Sequence, residues 1–185
     1  MLTRVYPFLG YTLIFDSFDM SLLRLFLVCI SFLATVSSNA QGRYSYRLMD
    51  EGTMIFFYPC KLVPSGKESS LVYDMNYITG RDPVTINMTY TAPQSDVKSV
   101  RLKTESIEYE TTNVEVFYRE KKKKNIATRL HIICPKEVYE KLFHSESPLS
   151  VEVITTHDEV SRFSYKPSKW RKEKASVQEA ILLAK

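Results

Sequence analysis

The chain predicts a mainly β fold, an antiparallel β-sandwich or barrel-like sheet with a short inserted helix and a C-terminal helix. Apolar and polar residues alternate at period two over one short segment after another. The segments are joined by short links rich in Pro, Gly, Asn and Asp, and only two stretches change to helical spacing.

Taken in order, residues 53–58 (TMIFFY) are apolar on both faces, which suits a central strand covered on both sides. Leu71, Tyr73, Met75 and Tyr77 oppose Asp74 and Asn76, and Val84, Ile86, Met88 and Tyr90 oppose Thr85, Asn87 and Thr89. Each set is one half-buried strand. Val100 with Leu102, Ile107 with Tyr109, and Val114 with Val116 and Tyr118 mark three more. Residues 126–133, 151–155 and 161–165 complete the set. Turn chemistry falls at 64–66, 80–83, 93–96, 111–113, 121–124 and 157–159.

Pro135 suits a first helical position, and Val138, Tyr139, Leu142 and Phe143 follow as an apolar stripe, giving a short helix that caps one end of the sheet. From Ser168, a suitable N-cap, the chain to its end has good helix formers and neither glycine nor proline. Trp170, Val177, Ile181 and Ala184 fall near one face of that helix.

Ahead of these elements, residues 20–40 read as a secretory signal peptide. Arg24 supplies the positive region, residues 25–33 the apolar region, and Ser38, Asn39 and Ala40 a small-x-small cleavage site before Gln41. The apolar run, interrupted by Cys29, Ser31 and Thr35, falls short of the roughly 20 residues of a bilayer crossing, which favours cleavage over anchoring. Asp16 and Asp19 stand where a signal prefers basic residues, so residues 1–19 are read as a mis-called extension and Met20 as the start. Residues 41–166 are then the β-sandwich domain, and residues 167–185 a helix of the same domain. The expected location is periplasmic, cell-surface or extracellular.

Cleavage after Ala40 leaves 145 residues, long enough to bury a core without obligatory staples. It removes two basic and two acidic residues, so the net charge of +4 is unchanged and implies no nucleic-acid partner. Cys60 and Cys134 remain, each beside a proline. An even pair in an oxidising compartment invites a disulfide that would close a loop of about 75 residues and stabilise by roughly 4 kcal/mol. Two separately buried thiols are the other reading.

Lys121, Lys122, Lys123 and Lys124 sit at an expected hairpin tip. Such a cluster either meets an anionic partner or protects the edges of two strands. His131, His144 and His157 lack the short spacings that bring metal ligands together, and no metal or other cofactor is expected. His131 shares a strand face with Arg129 and points to solvent. A cysteine hydrolase would need Cys134 activated by His157, with Asp158 to orient it. Ten tyrosines lie in the mature part, most at core positions by their alternation, and an exposed face of them would suit a glycan or protein partner. The C-terminal helix, through Trp170, Arg171, Lys172, Val177 and Ile181, docks either on a partner or on its own sheet. Residues 87–89 form a glycosylation sequon placed mid-strand.

The expectation is an exported, non-catalytic binding or interaction domain of the cell envelope, with a protein or glycan partner and no transmembrane span after cleavage. The alternatives are a structural subunit of an envelope assembly, and the Cys134/His157 hydrolase.

Overall fold

A computed structural model describes residues 43–183. The expected extension, the signal segment with its cleavage site, and Ala184 lie outside them.

The chain forms β1 (Tyr44–Met49), β2 (Gly52–Lys61), β3 (Val63–Pro64), β4 (Ser70–Ile78), β5 (Val84–Ala92), β6 (Val97–Lys103), β7 (Glu108–Thr111), β8 (Val114–Lys122), β9 (Asn125–Cys134), α1 (Lys136–His144), β10 (Ser150–Thr155), β11 (Val160–Ser164) and α2 (Pro167–Leu183). A six-stranded sheet runs β1-β2-β4-β5-β9-β8, and a five-stranded sheet runs β3-β11-β10-β6-β7. All pairings are antiparallel. The fold is mainly β and sandwich-like, as the alternation predicts.

The inner face of the larger sheet presents Leu71, Tyr73, Met75, Tyr77, Ile86, Met88, Tyr90, Leu130 and Ile132, all buried. Two different partners cover it. The smaller sheet packs on one part, with Tyr90 edge-on to Phe163 and Tyr73 edge-on to Tyr165. The helices cover the other part. Tyr139 of α1 stacks near Tyr77 and donates its hydroxyl to Met75 Sδ at 2.8 Å, and Trp170 of α2 lies between Phe143 and Tyr165. Helix α1 therefore packs onto the sheet face as part of the core.

Trp170, Val177 and Ile181 are buried in their own domain. Of the two readings of α2, this favours docking on its own domain, because the apolar stripe that would meet a partner fills the space beside the inner face. Arg171 and Lys172 remain exposed on its outer side.

The 53–58 segment is also corrected. It lies one strand from the sheet edge, because β1 pairs outside it from Tyr44↔Phe57 to Met49↔Gly52. Ile55 and Phe57 are buried, while Met54 and Phe56 on the other face stay half-exposed.

Cys60 and Cys134 are free thiols, both buried. Cys60 registers with Tyr73, Tyr73 with Met88 and Met88 with Leu130, so three strand intervals separate β2 from β9, about 14 Å. Cys134 is four residues further along β9, another 13 Å or so. A disulfide tolerates a Cα separation of about 7 Å at most, so the expected bridge does not form in this fold.

Candidate functional site

The links after β3, β5, β8 and β10 gather at one end of the sandwich. Ala92 at the end of β5 registers with Ile126, and Ile126 with Lys121 of β8, so the lysine run lies two strands from the β5–β6 link. That link reaches across: Asp96 pairs with Arg119 of β8 at 2.9 Å. On its other side Thr156 donates its backbone N–H to the Asp96 carbonyl at 2.9 Å, and Lys98 pairs with Asp158 at 2.7 Å. The segment 93–96 thus joins the β8–β9 hairpin to the β10–β11 turn.

The hairpin is the one the lysine run predicts. Lys121 and Lys122 end β8, Lys123 and Lys124 form the turn, and Lys123 adopts positive φ (57°). All four are exposed, with Lys122 3.4 Å from Glu120. β8 is an edge strand, and its register shifts between Val116 and Tyr118. Phe117 occupies that irregularity, and Phe117 and Tyr118 are each about half exposed. A bulge and a lysine cluster both discourage strand-to-strand aggregation, yet the same edge also displays aromatic surface beside fixed positive charge.

At the same end, two strands from the hairpin, lies a cleft of about 460 Å³. One wall is the β3–β4 link and the other the β10–β11 turn, with Pro93 and Gln94 between them. The walls are tied together. Ser65 donates its N–H to the Arg162 carbonyl at 2.9 Å, and within the second wall Thr155 donates its N–H to the Glu159 carbonyl at 3.0 Å, closing the β10–β11 turn. At the floor the Tyr90 hydroxyl lies 2.9 Å from Ser161 Oγ. Burial raises the Tyr90 phenol above its ordinary pKa, outweighing the hydrogen bond with Ser161, so the hydroxyl is neutral.

The outer face of the larger sheet carries an ordered polar row. Asp74, Asn87, His131 and Glu115 register straight across β4, β5, β9 and β8. Arg129 grips Asp74 with both carboxylate oxygens at 2.5 and 2.7 Å and donates to Thr89 Oγ1 at 3.1 Å. His131 is mostly covered, because the Phe117 ring packs on it at 4.7 Å, and its Nε2 lies 3.4 Å from Glu115. The sequence reading placed His131 and Arg129 on one face but missed both the row and the Asp74 partner. Opposite charges at outward positions of β4 and β9, the two strands that flank β5, and of β9 and β8 are the signal that would have found them. Asn87 of the sequon is 8% exposed within this row, which leaves no room for a glycan.

Cys134 and His157 are not brought together. Tyr109 donates its hydroxyl to the Ile133 carbonyl at 2.9 Å and registers with Leu102, while His157 follows Thr155, whose partner is Val97. Five residues of β6, about 16 Å, separate those rows. Burial, with Asp82 nearby, pushes the Cys134 thiol up to about 12, and the crevice formed by Asp82, Tyr109, Ile133 and Pro135 does not include it. His144 ends α1 with Nδ1 2.6 Å from the Glu140 carbonyl, so the three histidines occupy separate elements.

Among the described residues no cluster of three His, Cys, Asp or Glu is placed to hold a metal, and no helix is long and apolar enough to cross a membrane. Of the tyrosines, Tyr73, Tyr77, Tyr90, Tyr139 and Tyr165 are buried, whereas Tyr46, Tyr58 and Tyr118 are exposed at separate places. No family model, curated protein or solved structure matches the chain, so its functional reading rests on the site itself.

Proposed function

We propose that the chain is exported and that its mature domain is a non-catalytic binding module of the cell envelope, meeting an anionic protein or glycan at the loop end of the sandwich. The observation that carries this is the β8–β9 hairpin: Val116, Phe117 and Tyr118 exposed on one edge strand that runs directly into four exposed lysines. Aromatic anchors beside a charged rim are what recognition surfaces use, and clustered lysines steer an anionic partner. The signal-like segment 20–40 supports export. The burial of Cys134 and its separation from His157 weigh against a cysteine hydrolase, and the use of Trp170, Val177 and Ile181 in the core weighs against helix-mediated assembly.

The test is an intact-mass measurement of the exported protein together with titration of the mature domain against hyaluronan and polyglutamate. A chain beginning at Gln41 that binds either polyanion, with affinity falling as salt rises, supports the reading. An uncleaved N-terminus, or indifference to both polyanions, overturns it.

A further inference from the structure

We infer that the cleft two strands from the hairpin is a sugar subsite, and that the partner is a glycan with one ring seated in the cleft and its anionic groups on the lysine tip. The inference rests on the anionic-partner reading above and makes it specific.

The cleft has the size of a small-molecule site, typically about 300–1,000 Å³. Its two walls are held by backbone hydrogen bonds, so little order has to be gained on binding. Its chemistry is that of a polyol receptor. Tyr90 is 2% exposed, and its hydroxyl, paired with Ser161, offers a fixed donor and acceptor at the floor. Glu68, Glu159 and Gln94 stand around it as partners for ligand hydroxyls, and Pro93 and Val160 supply short apolar surfaces for the C–H face of a ring.

Charge separates the two halves of the site. Arg162 lines the cleft, and its Nε donates at 2.9 Å to Glu152, a carboxylate outside the lining that offsets its charge. Lys67, Glu68 and Glu159 line the cleft together, so an anion there would meet two carboxylates against one ammonium, whereas a neutral ring escapes that repulsion. The positive charge sits two strand intervals away, about 10 Å, at the hairpin. The Asp96–Arg119 pair makes the surface between them continuous. A chain of neutral and acidic sugars fits both halves, while the repeated carboxylates of polyglutamate would meet Glu68 and Glu159 in the cleft.

The experiment is a titration of the mature domain, read by amide chemical shifts and by affinity, with a hyaluronan hexasaccharide, N,N′-diacetylchitobiose and polyglutamate. The hexasaccharide is expected to shift residues 65–69 and 159–161 as well as 121–124. Y90F/S161A is expected to weaken it about tenfold while leaving the salt dependence intact. K123S/K124S is expected to reduce that dependence. Equal binding of polyglutamate with the cleft amides unmoved, or an unchanged affinity in Y90F/S161A, overturns the sugar subsite and leaves the anionic-partner reading standing. Saturable binding of the chitobiose in the cleft with no contribution from the lysines retains the subsite and overturns that reading. Binding of none of the three overturns both.

Discussion

Arg129 holds Asp74 with two hydrogen bonds across the outer face of the larger sheet, and Asp74 is only 3% exposed although it lies on the side away from the core. Removing one member strands the other as a covered charge. R129A is expected to lower stability by about 3 kcal/mol, and D74N/R129Q to recover most of it, because replacing both partners leaves no uncompensated charge. Urea denaturation of the three proteins checks this.

Gly52 opens β2 at φ 130°, and a Cβ there would lie 2.4 Å from the Thr79 carbonyl oxygen. The contact is backbone against backbone, tied on both sides: Thr53 donates its N–H to Thr79 Oγ1 at 2.8 Å, and Thr79 donates its own to the Thr53 carbonyl at 3.0 Å. Neither partner can withdraw without loosening the junction between the start of β2 and the end of β4. G52A is expected to cost about 2 kcal/mol or more, while G66A, where a Cβ meets nothing within 4 Å, is expected to stay within about 0.5 kcal/mol of the wild type. Thermal melts of the two variants side by side provide the comparison.

Period-two alternation made most of the fold legible because the buried set in β4, β5 and β9 is uninterrupted. β1 escaped although Tyr44, Tyr46 and Leu48 alternate with Ser45 and Arg47; it is an edge strand whose Tyr46 and Leu48 stay exposed, so its pattern did not announce burial. β2 looks central because residues 53–58 are apolar on both faces, yet Met54 and Phe56 stay half-exposed. β3 is two residues long and exists only through pairing with β11, which no local pattern reports. Of the candidate site, the lysine hairpin was readable from its composition. The cleft was not, because its walls come from three links far apart in sequence that meet only when both sheets are in place. Asp74 was hidden by the same logic, since its partner is 55 residues away.

Glu173 is 2% exposed and pairs with Arg43. Burial raises its carboxyl above the ordinary value of 4.5, outweighing the pull of Arg43. A raised carboxyl binds its proton more tightly in the folded state, so its contribution is full below about pH 4.5 and is lost as pH rises through the folded value. Relative to E173Q, the wild type is therefore expected to gain stability as pH falls toward 4.5 and to lose it toward neutrality. Chemical denaturation of both proteins between pH 4.5 and 7.5 gives the difference directly, and a flat difference would contradict the burial assigned to Glu173.

Trp170 joins α2 to the core through Phe143 and Tyr165. W170A is expected to cost about 3–5 kcal/mol by leaving a cavity between them, and W170F appreciably less. Near-ultraviolet circular dichroism checks whether α2 remains docked in each. A cost below about 1 kcal/mol for W170A would mean that the helix is not part of the cooperative unit.

Burial raises both thiols above their ordinary values, Cys134 to about 12, and both side chains are covered. Iodoacetamide is expected to label neither in the native protein and both in guanidinium, with an intact mass the same before and after reduction. Rapid native labelling, or a mass that rises by two hydrogens on reduction, would contradict the placement of β2 and β9.

The three strand intervals between Cys60 and Cys134 also bear on how the domain matures. With Cys60 and Cys134 both free, no oxidant is needed to link β2 to β9. A domain beginning at Gln41 is therefore expected to show the same circular dichroism and the same melting temperature with and without reductant.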